Sequence, residues 1–246
     1  MKSCSIVAGP LSSKETEPMS SESGLIVEQI EMGPMQNFVY VVGCAQSREV
    51  VLIDPAWDID GLLEHVRSKG YEPKAALVTH YHPDHCGGSL MGHRIEGVAH
   101  LLTKESLKVH VNKHEAPGLK KVTGLADNDL VKVDSGDRMS VGDVEIEFLH
   151  TPGHTPGSQC FRIKNTLVSG DTLFIQGCGR VDLPGSDPDQ MYHSLSKLAG
   201  LPDETILLPG HNYSDVPRAT MAETKRINFH LKVPTIDMWR QMMGAG

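Results

Sequence analysis

The chain has 246 residues, of which 39% are hydrophobic and 22% charged, as is typical of a globular protein. Its formal net charge of −8 argues against a basic surface for nucleic acid, so we expect an anionic substrate to be held by a few local Arg or Lys residues. No apolar run approaches a membrane span, and the stretch Ile6 to Ala8 is too short for a signal peptide.

The five cysteines are scattered, odd in number and form no C-x-x-C pair. They lie at positions 4, 44, 86, 160 and 178. In a chain of this size the pattern is typical of reduced thiols in a reducing compartment, so we expect a cytoplasmic protein.

The first half of the chain begins with residues 1–24, whose Ser, Glu, Pro and Lys content predicts a flexible tail ahead of a single domain over 25–246. Runs of β-branched and aromatic residues then predict consecutive strands of one sheet at 25–27, 37–42 and 50–53, and a further strand at 75–79. A helix is indicated between the last two of these, with Asp58 as its N-cap and Gly70 at its C-terminal end.

The region from Leu90 to Asp129 is harder to assign. It predicts a strand over 105–111 and a mostly helical segment over 113–122 with an interruption at Pro117-Gly118. Nothing in the spacing of its four histidines pairs them with other ligand types, so they are interpreted as surface or packing residues. They are His93, His100, His110 and His114.

The second half returns to strands followed by helices. Strands are predicted at 130–133, 144–149, 159–163, 166–168 and 205–208. A helix is predicted from Pro188 to Gly200 with Asp187 as its cap, and another over 216–229. This order predicts an α/β (α+β) protein in which two mixed sheets meet at a shared edge with helices outside.

The most informative stretch is Thr79–His85, where four metal-binding side chains occur in the order H-x-H-x-D-H. They are His80, His82, Asp84 and His85. The apolar run Ala75–Val78 precedes them and predicts a buried strand, while Gly87-Gly88 follows where the backbone must turn. The ligands are therefore expected on a loop at the end of a core strand, where α/β proteins usually carry chemistry.

Three more candidates, His154, Asp171 and His211, follow strands in short segments rich in Gly and Pro. Seven ligands are too many for one tetrahedral zinc, but they suit two metals that share a carboxylate. The simplest partition gives one metal His80, His82 and His154, gives the other Asp84, His85 and His211, and makes Asp171 the bridge. Imidazole and carboxylate ligands suit Zn, Fe or Mn. A structural zinc site is disfavoured because such sites are closed and usually rich in Cys.

The motif at 79–85, followed in order by His154, Asp171 and His211, resembles the metallo-β-lactamase superfamily from about Leu25 to the C-terminus. The resemblance implies a four-layer αββα sandwich, two mixed β-sheets flanked by helices, with a dimetal site at one edge of the sheets. Some β-lactamases carry Cys at the place of Asp171, so antibiotic hydrolysis is not the preferred activity.

Within the superfamily the chain is similar to the glyoxalase II group at Asn37–Tyr40, Gly177–Arg180 and Gly210–Tyr213. This resemblance implies that Arg180 meets a substrate carboxylate and that Tyr213 hydrogen-bonds the thiol-peptide part of a glutathione-like substrate. Glyoxalase II has a further helical domain after its last ligand, whereas only residues 212–246 follow here.

The short C-terminal segment is instead similar to the persulfide dioxygenases. These hold a single Fe(II) through one motif His, His154 and Asp171. Against them, the stretch between His85 and His154 is longer than that group leads us to expect.

The resulting hypothesis is a hydrolase that uses a metal-bound hydroxide on a thioester, or a similar activated acyl bond, of a small anionic thiol. Asp84 would ligate a metal and take up the proton during attack. The alternative is an Fe(II)-dependent persulfide dioxygenase on the same ligands, and a lactonase or a metal-binding protein without turnover are further alternatives. The sequence leaves the metal and a homo-oligomeric state open.

Overall fold

The computed structural model describes residues 24–244. The predicted tail over 1–24 lies outside the described residues except for Gly24. The predicted boundary between this tail and a single domain over 25–246 therefore stays a prediction. Within 24–244, no helix has the length and apolar character needed to cross a membrane.

The described residues form strands and helices in the following order along the chain. The strands are β1 (Leu25–Met32), β2 (Asn37–Cys44), β3 (Glu49–Ile53), β4 (Glu72–Leu77), β5 (Gly88–Leu90), β6 (His93–Ile95), β7 (Val109–Asn112), β8 (Leu130–Val133), β9 (Arg138–Val141), β10 (Val144–His150), β11 (Gln159–Ile163), β12 (Thr166–Gly170), β13 (Ile206–Pro209) and β14 (Ala219–Thr220). The α-helices are α1 (Ile59–Ser68), α2 (Pro83–Cys86), α3 (Val98–Lys104), α4 (Ala116–Thr123), α5 (Pro188–Ala199), α6 (Met221–Ile227) and α7 (Ile236–Met243).

Two six-stranded mixed sheets dominate the described part of the chain. The first has the order β1-β2-β3-β4-β7-β8, with antiparallel pairing up to β3 and parallel pairing from β3 to β8. The second has the order β14-β13-β12-β11-β10-β9, in which only β12 and β13 pair in parallel. Strands β5 and β6 form a separate hairpin.

Three apolar clusters define four layers. One cluster lies between the sheets and includes Phe38, Phe148 and Phe161. A second packs α1, α3 and α4 against the outer face of the first sheet, and a third packs α5 and α7 against the outer face of the second. Strand β2 is buried on both faces because alternate residues enter two different clusters. The predicted αββα sandwich is confirmed.

The structure corrects several predicted boundaries. The strand predicted over 105–111 is β7, which begins only at Val109, and a helix, α3, precedes it. Pro117 lies in the first turn of α4, where its missing N–H has no intrahelical partner to lose, so Pro117-Gly118 starts this helix instead of interrupting it. The helix predicted over 216–229 begins at Met221, because Thr220 and Glu223 form a capping box.

Helix α7 was not predicted, and it is anchored by one fully buried residue, Trp239. The indole packs among residues of α5 and donates from Nε1 to the carbonyl oxygen of Pro188 at 2.6 Å. Arg240 reinforces the contact through a bidentate pair with Asp189, 2.5 and 2.9 Å long. The C-terminal segment is thus an integral part of the outer layer.

We predict that Trp239→Ala lowers the free energy of unfolding by about 3–5 kcal/mol, because it leaves a large cavity under α7. Urea denaturation followed by circular dichroism measures the change. Met238→Ala is the matched control, since the neighbouring side chain is exposed and its loss should change stability little. Equal stability of the two variants would contradict the anchoring role.

Candidate metal centre

All seven predicted ligands lie together at one edge of the two sheets. His80, His82, Asp84 and His85 follow β4 of the first sheet, and the last two are on the short helix α2. His154, Asp171 and His211 follow β10, β12 and β13 of the second sheet. Six of the seven are buried, and His82 is half-buried.

Donor atoms converge in three groups among the described residues. Two consist of predicted ligands alone, and the third, Asp54 with His80 and His85, draws one histidine from each of them. In the first group, His80, His82 and His154 bring three nitrogens within 4.8 Å of one another, and His82 Nδ1 lies 2.9 Å from His154 Nε2. The second group is Asp84, His85 and His211, again within 4.8 Å, with the two Nε2 atoms 3.1 Å apart. These are the two groups of the predicted partition.

Asp171 lies between the two groups. Its Oδ2 is 3.6 Å from His154 Nε2 in the first group and 3.4 Å from His211 Nε2 in the second, while Oδ1 is 3.4 Å from His85 Nε2. A carboxylate that two metals share requires a position of this kind.

Hydrogen bonds on the far side of the imidazoles determine which nitrogen faces the site. His211 Nδ1 donates to the carbonyl oxygen of Met35 at 2.9 Å, and His154 Nδ1 donates to that of Arg180 at 2.8 Å. A carbonyl only accepts, so Nδ1 carries the proton and the Nε2 lone pair of the neutral ring points into the site.

Asp54, at the end of β3, supports both groups and was missed by the sequence analysis. Its Oδ2 accepts from His85 Nδ1 at 2.9 Å and from the Thr79 hydroxyl at 2.6 Å, and its Oδ1 accepts from the Thr79 N–H. The Thr79 oxygen in turn lies 3.0 Å from His80 Nδ1, which orients that ring as well. The apolar residues Val50–Ile53 are followed directly by Asp54, as an apolar strand is followed by Asp171. The sequence therefore contained a pattern that indicates this residue.

The unpaired atoms of the site fit a cation. His80 Nε2 and Asp171 Oδ1 are buried with no hydrogen-bond partner among the described residues. Burial lowers the pKa of His80 well below its usual value and, with His154 adding to the effect, lowers that of His82 to about 4. Both rings are therefore neutral near pH 7 and offer lone pairs.

The second group attracts positive charge. Burial lowers the pKa of His85, but Asp171, Asp84 and Asp54 outweigh burial and raise this pKa to about 10. Burial raises the pKa of Asp171, but His85 and His211 hold it well below the usual range. His85 therefore carries a proton near pH 7, which a divalent cation would displace. Imidazoles and buried carboxylates without thiolate are a donor set for divalent metals, and they do not select among Zn, Fe and Mn.

A cleft of about 860 Å³ opens over the two groups. Its apolar wall comprises Met35, Leu90, Met91, Phe174, Leu183 and Pro184. Tyr213 also lines the cleft and stacks on the His211 ring with centroids 4.5 Å apart. Arg180 is the one Lys or Arg among the lining residues, and its exposed guanidinium forms a bidentate pair with Asp182, both bonds 2.8 Å long.

Asn37 is a further neighbour whose role the sequence did not indicate. Its Nδ2 donates to Asp84 Oδ2 at 3.0 Å, and its Oδ1 accepts from the Trp57 indole at 3.0 Å. The amide therefore holds Asp84 in place from β2. By contrast, none of the four histidines between positions 90 and 129 belongs to a group of converging metal donors among the described residues.

Comparison with known proteins gives concordant results. The sequence profile of the Metallo-beta-lactamase superfamily matches residues 32–211. A hydroxyacylglutathione hydrolase of Polaromonas sp. is 36% identical over 195 residues, which cover 77% of this chain and 67% of that protein. A probable polyketide biosynthesis zinc-dependent hydrolase, BaeB of Bacillus velezensis, is 24% identical over 80% of this chain and 82% of its own.

Among solved structures, that of ETHE1 from Myxococcus xanthus superposes with a TM-score of 0.76 and 28% sequence identity. The match covers 89% of this chain and 90% of ETHE1. The chain thus spans nearly all of ETHE1 but about two thirds of the Polaromonas hydrolase.

We predict that replacing Asp171 weakens metal binding in both donor groups, whereas replacing a ligand that belongs to one group weakens binding in that group alone. His211→Ala should reduce the bound metal from about two ions per chain to about one, and Asp171→Asn should reduce it below one. Elemental analysis after purification measures the ratio, and circular dichroism confirms folding. Equal metal content in the two variants would contradict the position assigned to Asp171.

Proposed function

The chain belongs to the metallo-beta-lactamase superfamily, and we propose that it is a metal-dependent hydrolase of the glyoxalase II type. Its substrate would be a thioester, or a similar activated acyl bond, of a small anionic thiol. The observation that carries this proposal is the position of Asp171 between two complete donor groups beneath an open cleft. The similarity to hydroxyacylglutathione hydrolases supports it.

The proposed ligands are His80, His82 and His154 for one metal, Asp84, His85 and His211 for the other, and Asp171 for both. When bound, the metals supply Lewis acidity, which lowers the pKa of water and polarises an acyl oxygen. Zinc, iron or both are the ions we expect, and manganese also suits these donors. A site of imidazole and carboxylate donors that opens on a cleft suits catalysis better than a closed structural role.

Asp84 is the proposed proton acceptor. Among the described residues only its Oδ2 accepts a hydrogen bond, from Asn37, so Oδ1 is available to a nucleophilic water. The Asn37 contact fixes the rotamer of the carboxylate, and Asp84 lines the cleft where a substrate would bind.

Tyr213 is the proposed donor to the substrate. Burial, reinforced by Asp171 and Asp84, raises its pKa to about 12, so the phenol keeps its proton near neutral pH. Its ring is fixed between Phe174 and His211, at centroid distances of 5.6 and 4.5 Å. The hydroxyl can therefore donate to a carbonyl of the thiol part at the cleft wall.

Arg180 is the proposed site for the anionic end of the substrate. It is already paired with Asp182, and a substrate carboxylate would replace Asp182 in the same bidentate geometry. The apolar wall of the cleft suits the non-ionic part of the molecule. Because the hydroxyacylglutathione hydrolases contain segments beyond the matched region, glutathione itself is one candidate among such thiols.

An Fe(II)-dependent persulfide dioxygenase is the second candidate. It is favoured by the near-complete coverage of ETHE1 at 28% identity. One histidine of the first group, His154 and Asp171 would then suffice, and the second donor group would not be required.

We further propose a single catalytic domain from residue 25 onward and a cytoplasmic location, the latter supported by four unpaired cysteines among the described residues.

The two candidates differ in their need for the second group. We predict that His211→Ala lowers kcat for hydrolysis of S-lactoylglutathione at least about 100-fold, because one donor group is broken. Fe(II)-loaded wild-type protein should consume no oxygen with glutathione persulfide. Stoichiometric oxygen uptake that survives His211→Ala would instead establish the dioxygenase.

Arg180 and Asp182 provide a test of anion recognition. Arg180→Leu should raise KM for an anionic thioester about three- to tenfold with little change in kcat, because one exposed charge-assisted pair is lost. Asp182→Asn should lower KM, since it removes the competing carboxylate. Steady-state kinetics measures both, and a neutral thioester is the control substrate. An unchanged KM in both variants would contradict the assignment.

A further inference from the structure

A fully buried carboxylate, Glu115, lies outside the predicted ligand set and directly before α4. Its Oε1 accepts from the backbone N–H of Tyr81 at 2.7 Å, and its Oε2 accepts from the backbone N–H of Gly157 at 2.7 Å. The Thr155 hydroxyl also favours the charged form of this carboxylate, since it lowers the pKa of Glu115. All of these partners lie beside predicted ligands, but none of them is a ligand.

These bonds join two loops that belong to different sheets. Tyr81 is between His80 and His82 in the loop after β4 of the first sheet. Thr155 and Gly157 follow His154 in the loop between β10 and β11 of the second sheet. The loops that supply the three histidines of the first donor group are therefore held by one side chain that comes from neither of them.

Two glycines permit this close approach. A Cβ at Gly157 would lie 2.3 Å from the backbone nitrogen of Glu115 and 2.6 Å from Oε2. A Cβ at Gly118, in the first turns of α4, would lie 2.4 Å from the ring of Tyr81. Any larger residue at either position would push Glu115 or α4 away from the ligand loops.

The burial of this group is energetically costly. Burial raises the pKa of Glu115 to about 7, although the Thr155 hydroxyl and the N–H groups of Tyr81 and Gly157 lower it. Burying a carboxyl group costs free energy unless hydrogen bonds compensate for the lost hydration. An apolar residue would fill the space but would leave two backbone N–H groups without acceptors.

Another link between the same loops does not replace it. Gln159 donates from its backbone to Thr79 and from its side chain to Val78, at 3.0 and 2.8 Å. Both contacts lie upstream of His80. Between His80 and His82, the Tyr81 N–H donates to Glu115, whereas the Tyr81 carbonyl oxygen accepts from the Cys86 thiol at 3.3 Å, a contact within the same segment of the chain.

We propose that Glu115 is a positioning residue that sets the spacing between His80, His82 and His154 and thereby the metal affinity of that group alone. The inference rests on the proposed ligand set. Supporting residues around metal ligands typically change affinity by about 10- to 100-fold when they are replaced. Glu115→Gln keeps the size of the side chain but offers one acceptor oxygen where the carboxylate offers two.

Co(II) titration followed by visible absorption tests the proposal in two backgrounds. His211→Ala leaves the first donor group intact, and His82→Ala leaves the second. We expect Glu115→Gln to weaken Co(II) binding about 10- to 100-fold in the His211→Ala background and to leave it unchanged in the His82→Ala background. Gly157→Ala, which displaces Glu115 from the opposite side, should give the same selective loss.

Two controls separate positioning from general destabilisation. Glu28→Gln alters a partly buried carboxylate that also joins separate segments, through Tyr71 and His65. Gly200→Ala adds a methyl group where the nearest atom is 3.3 Å away. Neither should change Co(II) affinity. Unchanged affinity of Glu115→Gln in the His211→Ala background, or equal losses in both backgrounds, would overturn the proposal. If the protein without any substitution fails to bind Co(II), the proposed ligand set itself is wrong.

Discussion

The site depends on the charge of three carboxylates, Asp54, Asp84 and Asp171, which are buried at 3%, 6% and 9% exposure. Buried charges are tolerated when they are paired and hydrogen-bonded. Asp54 receives three donors within the protein, from Thr79 and His85. The ion-pair partners of Asp84 and Asp171 among the described residues are histidines. A divalent cation in each donor group would satisfy both the carboxylates and the imidazole nitrogens that face the site.

The fold makes this concentration of charge possible by joining two rigid sheets at one edge. Each sheet contributes ligands from loops at strand ends, and the apolar cluster between the sheets fixes their distance. Hydrogen bonds across this edge then fix the positions of the ligands. Asn37 donates to Asp84, and Glu115 accepts from the two loops of the first group. The geometry is therefore a property of the packed sandwich, which the local motif alone would not provide.

The sequence predicted much of this arrangement because the ligands carry local signals. His80, Asp171 and His211 each end an apolar strand, and parallel or adjacent strands bring such ends together. Asp54 ends an apolar strand as the predicted ligands do, so its position could have been predicted. The role of Glu115, by contrast, could not be predicted because it comes from partners distant in sequence, which spacing does not reveal. Helix α7 was missed for a similar reason, since it forms by packing Trp239 on α5. Pro117 was misread because a proline that starts a helix and one that interrupts it look alike without the neighbouring boundary.

The central claim is that Asp171 joins two metals, and electron paramagnetic resonance of Mn(II)-loaded protein tests it most directly. Two Mn(II) ions that share a carboxylate couple magnetically, and their spectrum differs from that of isolated ions. The account predicts a coupled pair in the unmodified protein and isolated Mn(II) in His211→Ala. A spectrum of isolated Mn(II) only, from unmodified protein saturated with the metal, would contradict a shared carboxylate and favour a mononuclear site.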